Sequence, residues 1–386
     1  MKMIKSAYWL LFLVGLTAAL SATAQNDTAV RPGLRVSLLT CGPGAEIYSV
    51  FGHTAVRIID SATNTDIVYN YGTFNGYDEQ FELNFMRGKL LYYLSEEDFA
   101  GFKEDYMMEG RWVDEQVLEI SASDKRAIQD YLTTNLLPEN RAYKYDFFFD
   151  NCATRIRDIF TETHGSAFRF GNVVPEKGIT FRQIINRYLN PDPWERLGIN
   201  MLLGSKIDKV MTNEQMMFLP DYLKDAVAGA TLSGKKYAAA PDRIVRISAL
   251  NAGHPDYSVT IVLWSLFVLL AAGLLVPKLR FVGNLLSSVL LILTGLLGVL
   301  MLLMWFGTDH KACSDNFNLL WALPTNLLYV FRKRQTKYAL IAILCIFLSV
   351  IFHLVGLQGL LLPDMVPLLL MLLMIFGVHF RKYSVA

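Results

Sequence analysis

Cys152 is the residue of this sequence with the clearest potential for chemistry. It stands in "YDFFFDNCATRIRD" (145–158), where Asn151 is a typical helix N-cap and the following apolar residues have helical spacing. The unpaired backbone N–H groups of a helix start favour an anionic sulfur, Arg155 adds positive charge one turn further on, and the donors around Asn151 suit an oxyanion. The pattern predicts a cysteine nucleophile, with a buried structural cysteine as the alternative.

A cysteine nucleophile needs a base, and the sequence contains six histidines. Three of them lie in or beside apolar segments or in a linker. Of the others, His53 follows a glycine in the strand pattern "VFGHTAVRI", whereas His164 stands in the helix-ending pattern "ETHGS". His53 is the predicted base, with an ordinary half-buried strand histidine as the alternative. Asn70 or Tyr71, on the neighbouring strand, is the candidate for the group that orients it.

Composition indicates a membrane protein that carries an export signal. Hydrophobic residues make up 53% of the chain and charged residues 18%, and the net charge of +1 shows no electrostatic preference for nucleic acid. Residues 1–24 contain two lysines, then an apolar run, then small residues. This order predicts a secretory signal peptide cleaved after Ala24, with an uncleaved anchor as the alternative.

The apolar residues are concentrated in the last third of the chain. Five segments are predicted to cross a bilayer, which takes about 20 residues; they are about 259–276, 281–306, 319–331, 338–357 and 360–380. The third is the shortest and contains Pro324. Basic clusters follow the first, third and fifth segments, so five crossings place all three clusters, and the C-terminus, in the cytoplasm.

This topology leaves residues 25–250 as an extracytoplasmic domain and residues 251–386 as a transmembrane domain. Alternating apolar residues predict strands over 34–40, 48–60 and 66–74, and helical patterns dominate the second half of the first domain. That domain is therefore expected to be α+β. The stretch 190–209 is expected to be a loop that opens into a short helix leading towards the membrane, with a connector that has no chemical role as the alternative.

The order of the candidate residues resembles known cysteine enzymes. A strand histidine with a helix-start cysteine is the arrangement of papain-like and NlpC-like enzymes, and histidine before cysteine resembles their permuted branch, which includes lecithin:retinol acyltransferase-like proteins with an Asn-Cys motif. Five stretches in order, together with the five spans, resemble the bacterial Lnb family of membrane-bound lipoprotein N-acyltransferases. They are "LLTCGPGAEIYSVFGHTAVRI", "NYGTF", "YKYDFFFDNCATRIRD", "RLGINMLLGSKID" and "TDHKACSDNFNLLWALPTN".

The resemblance implies a bacterial inner-membrane enzyme with a periplasmic domain of permuted papain/NlpC-like fold. Cys152 would take an acyl chain from a membrane phospholipid as a thioester, with His53 as the base, and pass it to the α-amine of the diacylglyceryl-cysteine of a lipoprotein. Three alternatives stay open at this point. They are a periplasmic cysteine peptidase or amidase, acyl migration from the lipoprotein's own glyceryl ester, and a non-enzymatic receptor or assembly factor.

The polar loop "GTDHKACSDNFN" (307–318) lies on the same side of the membrane as Cys152 in this topology. Asp309, His310 and Asn316 are candidates for a lipid entrance, with a solvated polar turn as the alternative. Cys313 and Cys41 are candidates for a disulfide. His310 and Cys313 have half of a zinc-binding spacing, but no second pair follows on that side, so neither a metal nor a cofactor is predicted.

Overall fold

The computed structural model describes residues 33–46, 48–76, 80–247, 256–331 and 335–384. The predicted signal peptide and the basic run 332–334 lie outside the described residues. The N-terminal part combines a large sheet with helices and the C-terminal part is helical, so the predicted α+β domain followed by a helical membrane region is confirmed.

An antiparallel sheet of seven strands forms the frame of the N-terminal part, in the order β10-β5-β1-β2-β3-β4-β6. Its strands are β1 (Leu34–Cys41), β2 (His53–Asp60), β3 (Thr65–Phe74), β4 (Leu91–Asp98), β5 (Val113–Val117), β6 (Ala142–Lys144) and β10 (Asp242–Val245). β2 starts at His53 rather than at residue 48, because Gly52 has a φ of +79° and turns the chain there. A small second sheet contains β7 (Phe168–Arg169), β8 (Thr231–Leu232) and β9 (Lys235–Lys236).

Helices cover both faces of the large sheet. The helices of this part are α1 (Phe81–Met86), α2 (Phe99–Met108), α3 (Ala122–Leu136), α4 (Cys152–His164), α5 (Phe181–Tyr188), α6 (Pro193–Leu202), α7 (Asn213–Met216) and α8 (Pro220–Ala228). Successive strand residues face opposite sides, so Val56 of β2 packs with α3 and α4 while Ala55 packs with Phe102 of α2. The central strand is buried on both sides, and the start of α4 lies at the end of the sheet where β2 begins.

Four long apolar helices build the C-terminal part in the described residues, and each is long enough to cross a membrane. They are α9 (Ser258–Leu275), α10 (Arg280–Gly307), α12 (Thr336–Leu354) and α13 (Leu362–Ser384). The third predicted segment, 319–331, is not a continuous helix. It contains the end of a 3₁₀ turn (Phe317–Leu320) and the short α11 (Asn326–Tyr329), which Pro324 separates because proline disrupts a helix interior.

The chain still travels the length of the bundle between α10 and α12. Gln358, just after α12, donates to Asn316 at 3.1 Å and accepts from the backbone of Phe317 at 2.7 Å, so these residues lie at one end. α12 has 19 residues, about 28 Å of helix, and its start at Thr336 lies at the other end. The path from residue 317 to Thr336 therefore covers the same distance. Its described residues, 317–331, contain one helical turn of α type, and the Asn326 amide in this turn donates to Thr294.

The stretch 190–209 contains a short helix, α6, as expected, and this helix contacts the membrane helices. Leu197 of α6 lies in the same apolar core as the membrane helices. Arg196 makes an ion pair of 3.1 Å with the buried Asp364 at the start of α13, and Trp194 donates to Ser258 at the start of α9 at 2.9 Å. The N-terminal domain is thus held on the membrane helices by packing and by polar contacts, which fixes its position over them.

Candidate active site

Cys152 occupies the first turn of α4, and Asn151 caps this helix as predicted. The Asn151 side chain accepts from the backbone of Thr154, and its amide donates to the carbonyls of Phe147 and Phe218 at 2.8 Å each. Its own backbone N–H donates to the Thr154 hydroxyl. Every donor of Asn151 is therefore engaged, so Asn151 positions the helix start and has no N–H free for an oxyanion.

Three backbone N–H groups point at the Cys152 sulfur instead: those of Thr54, Ala153 and Cys152 itself. The residue is only 8% exposed. Burial raises the pKa of the Cys152 thiol to about 11, although the three N–H groups and the positive charge of Arg111 act in the opposite direction. Cys152 is therefore a neutral thiol among donors that favour its anion, so it would need a base to act as a nucleophile.

His53 lies next to Thr54 at the start of β2, and its partner is Asn70 of β3. His53 Nε2 and Asn70 Oδ1 are 3.2 Å apart, and the Asn70 amide donates to Glu97 of β4 at 2.6 Å. Because a carboxylate oxygen accepts, the Asn70 N–H₂ faces Glu97 and its carbonyl oxygen faces the imidazole. His53 then carries its proton on Nε2, which leaves the lone pair of Nδ1 free. Of the two predicted orienting residues, the structure pairs Asn70 with His53.

The imidazole is neutral across the physiological range. Burial lowers the pKa of His53 to about 4, with the nearby Arg111 cation acting in the same direction and the hydrogen bond that His53 donates to Asn70 acting against it. A neutral imidazole can accept a proton, whereas an imidazolium cannot. His53 is therefore in the protonation state that a general base requires.

A cleft of about 230 Å³ opens beside these groups, lined among others by His53, Asn70, Gly72 and Glu97. Gly72 lies at an irregularity in the pairing of β3 with β4 and has a φ of +94°. A Cβ placed on it would lie 3.8 Å from the Cβ of Cys152. Gly72 thus lies between the cleft and the Cys152 side chain, and it places no side chain of its own there.

Tyr71 and Arg155, the other predicted site residues, lie close by with different contacts. Tyr71 is buried and its ring packs edge-on against Tyr143 at 6.1 Å. Arg155 makes two hydrogen bonds, 2.5 and 2.7 Å, to the carboxylate of Asp150, and its guanidinium stacks 4.2 Å over Tyr143. Its charge is neutralised by Asp150, and the cation that lowers the pKa of Cys152 is Arg111.

Sequence reasoning missed three residues around the thiol. Glu97 stands in the acidic run "SEED", where no single carboxylate is distinguished. Arg111 is buried, donates to the Gly42 carbonyl at 2.8 Å and lies over the Tyr106 ring. Tyr143 has a buried hydroxyl with no hydrogen-bond partner among the described residues, and the nearby Cys152 raises the pKa of this phenol after the larger effect of burial. No local sequence pattern connects these three residues with Cys152, because they come close to the site only in the folded structure.

The predicted entrance residues divide into two groups. Asp309 pairs with Lys144 at 3.2 Å, and His310 Nε2 contacts the Phe85 carbonyl at 3.0 Å, so both lie against the N-terminal domain at its membrane side. Asn316 is 1% exposed, and its amide donates to the carbonyls of Met201 and Leu202 at 2.9 Å each. An enclosed side chain with these partners ties the two domains together and does not line an entrance.

The remaining thiols and histidines of interest lie apart from this arrangement. Cys41 and Cys313 are both free and belong to different apolar clusters, so the disulfide considered from the sequence is not formed. His164 lies at the opposite end of α4 and contacts the Tyr237 hydroxyl at 3.0 Å. Among the described residues no group of three or more His, Cys, Asp or Glu could hold a metal ion.

Comparison with known proteins gives two family matches that together cover most of the chain. The model of the Lnb N-terminal periplasmic domain matches residues 23–186, and the model of the Lnb transmembrane domain matches residues 257–384. No curated protein and no solved structure matches the chain. The first match contains both His53 and Cys152.

Proposed function

The chain belongs to the Lnb family, and we propose that it is a lipoprotein N-acyltransferase in which Cys152 carries the acyl group. Its N-terminal domain is periplasmic and its C-terminal domain lies in the membrane. The observation that carries the mechanistic proposal is the chain of contacts His53, Asn70 and Glu97 next to a helix-start thiol that receives three backbone N–H groups. A structural cysteine needs none of these groups.

In the first half of the reaction, the sulfur attacks an ester carbonyl of a membrane phospholipid. Nδ1 of His53 takes the thiol proton as the carbon–sulfur bond forms, and the backbone N–H groups of Thr54 and Ala153 stabilise the oxyanion. The glycerol oxygen leaves with the proton held by His53. The products are a lysophospholipid and a Cys152 thioester.

In the second half, the α-amine of a diacylglyceryl-cysteine attacks the thioester. His53 accepts a proton from this amine as the carbon–nitrogen bond forms and the carbon–sulfur bond breaks. The sulfur leaves as a thiolate, which the backbone N–H groups of Thr54, Ala153 and Cys152 stabilise, and the proton returns to it. The lipoprotein keeps an N-acyl group as an amide, and the enzyme is restored.

The membrane domain suits substrates whose chains stay in the bilayer. We place the protein in the inner membrane, as the resemblance implies, with the C-terminus in the cytoplasm. The side of the C-terminus follows from the number of passages, since the path from residue 317 to Thr336 supplies a fifth passage along the bundle beside the four long helices. An odd number of passages puts the two ends of the membrane domain on opposite sides. A fixed contact between α6 and α13 then holds the thiol at a constant distance from the membrane surface.

The function can be tested with purified full-length protein in nanodiscs. We expect a synthetic diacylated lipopeptide to gain one acyl mass when phosphatidylethanolamine is present, with one lysophospholipid formed for each amide. Because the donor is a separate lipid, an isotope-labelled phospholipid chain should appear on the lipopeptide amine. An unchanged peptide mass with a migrated acyl group would indicate transfer within the lipoprotein, and cleavage of a cell-wall stem peptide would indicate a hydrolase. Either result would contradict the proposal.

The contact between Asn70 and His53 predicts a shift in the pH dependence of Cys152 acylation. In Asn70→Asp protein, the new carboxyl group at position 70 and that of Glu97 share one proton. The remaining negative charge beside Nε2 stabilises the imidazolium, so the pKa of His53 rises. His53 therefore loses its base function at a higher pH than in the wild type, and the acid limb of the acylation rate should move up by about one unit or more. The pH dependence of the acylation rate is measured with p-nitrophenyl acetate, from the release of p-nitrophenol in a single turnover.

The double variant Asn70→Asp with Glu97→Gln is the matched control for the effect of placing two carboxyl groups next to each other. It retains the negative charge at position 70 and removes the repulsion by the Glu97 carboxylate, so the acid limb of its acylation rate should also lie at a higher pH than in the wild type. An acid limb in both variants at the wild-type position would show that residue 70 does not contact His53 in solution.

A further inference from the structure

Five aromatic rings form a continuous stripe on the N-terminal domain, which we call the aromatic stripe: Phe85, Phe81, Phe74, Tyr92 and Tyr145. The distances between successive ring centroids are 6.2, 5.3, 5.4 and 4.3 Å. The rings come from α1, β3, β4 and the segment before α4, so no single sequence motif contains them. Tertiary folding alone lines them up.

One end of the aromatic stripe lies at the membrane domain. Phe85 is in contact with the loop that follows α10, since His310 Nε2 lies 3.0 Å from the Phe85 carbonyl and the backbone of Asp309 donates to that of Arg87 at 2.9 Å. α10 is a membrane helix that ends at Gly307, only two residues before this contact. The stripe therefore begins where the polypeptide leaves the bilayer.

The other end of the aromatic stripe lies at Cys152. A Cβ on Gly72 would lie 3.8 Å from the Tyr145 ring and 3.8 Å from the Cβ of Cys152, so this glycine is flanked by both residues. Its φ of +94° is a conformation that other residues rarely adopt. Between the last ring and Cys152 the protein thus places a residue without a side chain.

The membrane end of the stripe is apolar and exposed. Phe85 is 53% exposed, and Leu83 and Met86 on the same short helix are exposed as well. Apolar side chains grouped in this way on a soluble domain mark a binding surface. The four distances between successive ring centroids are each at least 4.3 Å. The path along the aromatic stripe is therefore longer than the hydrocarbon layer of one membrane leaflet, which is about 15 Å thick.

We propose that the aromatic stripe binds one acyl chain of a membrane lipid and guides its ester carbonyl to Cys152. The chain lies along the ring faces, with its end near α1 and the membrane, while the ester reaches the thiol past Gly72. This proposal rests on the acyl-transfer function proposed above, because it names the binding site of that acyl donor. The proposal goes beyond that function because it assigns a preference for the length of the acyl chain to the aromatic stripe, which lies outside the proposed catalytic groups.

The proposal can be tested by the dependence of Cys152 acylation on ester length. Full-length protein in detergent is acylated with p-nitrophenyl acetate and p-nitrophenyl palmitate, and the acyl-enzyme is followed by intact mass. In Phe81→Ser protein the ratio of the palmitate rate to the acetate rate should fall by about tenfold, since one apolar contact with the chain is lost. Phe81→Leu should keep most of the ratio.

Leu137→Ser is the matched control, because Leu137 is an exposed apolar residue at the end of α3. Its ratio should equal that of the wild type. A ratio unchanged in Phe81→Ser, or lowered equally in Leu137→Ser, would overturn the assignment.

Photo-crosslinking gives a readout that needs no activity. Cys152→Ala protein in nanodiscs with phosphatidylethanolamine that has a diazirine on its palmitoyl chain should give adducts on residues 80–92. Adducts confined to residues 258–384 would exclude the stripe. Neither assay contains a lipoprotein, so if both support the stripe while lipopeptide is never acylated, the transferase function fails and the acyl site stands.

Discussion

Protein with alanine or serine at position 152 is expected to form no acyl-enzyme and to transfer no acyl chain, a loss on the order of 10⁶-fold. Alanine removes the attacking atom. Serine retains the shape, but its hydroxyl is far less acidic than a thiol, and a base whose pKa burial lowers to about 4 cannot deprotonate it effectively. Intact mass after incubation with lipid, together with lipopeptide mass, measures both halves of the reaction.

The fold should survive this change, because Cys152→Ser alters one atom in a helix start that Asn151 and Thr154 cap independently. Cys345→Ala is the matched control, since this half-buried thiol lies on the membrane helix α12 and its removal should leave acylation unchanged. Lipid transfer retained by Cys152→Ala would show that the thiol is not the acyl carrier and would return Cys152 to a structural role.

The sequence predicts the two central groups of the site because each belongs to a local pattern: a cysteine behind an N-cap, and a histidine behind a glycine in a strand. The orienting group stays open between Asn70 and Tyr71 for a physical reason. Alternation along a strand decides which residue shares the face of His53, but the pairing of β3 with β4 shifts between Asn70 and Thr73, so alternation cannot be followed through it. Glu97 can be assigned to the site only from the folded structure, because the pairing of β4 with β3 brings its carboxylate to the Asn70 amide.

The membrane region likewise contains features that a local sequence pattern does not predict. Hydropathy identifies the four long helices because each is apolar throughout, and it also selects 319–331 because that segment is apolar on average. Hydropathy does not register that Asn318 and Asn326 are buried with engaged amides, or that Pro324 packs on Gly298 of α10. Such a segment is stable only beside other helices that satisfy its backbone, which is a property of the assembled bundle.

His53→Gln protein is expected to acylate Cys152 about 10³-fold more slowly at neutral pH, with a different pH dependence. In the wild type, burial holds the pKa of His53 near 4 and that of Cys152 near 11. The base is therefore free above about pH 5 and the rate is flat to about pH 9, falling only as protonation removes the base at lower pH. Without the base, only the thiolate fraction reacts, so the rate should rise about tenfold per pH unit up to the pKa of the thiol.

The acetate ester suits this measurement because its small chain makes little demand on the lipid site, and single-turnover release of p-nitrophenol reports the acylation step alone. His164→Gln is the control, since His164 lies at the other end of α4 and should retain the flat profile. A flat profile in His53→Gln, or a wild-type rate that climbs about tenfold per unit between about pH 6 and 9, would show that the thiolate forms without His53. The difference between the two profiles separates a base that removes the proton during attack from an imidazole that only fills space beside the sulfur.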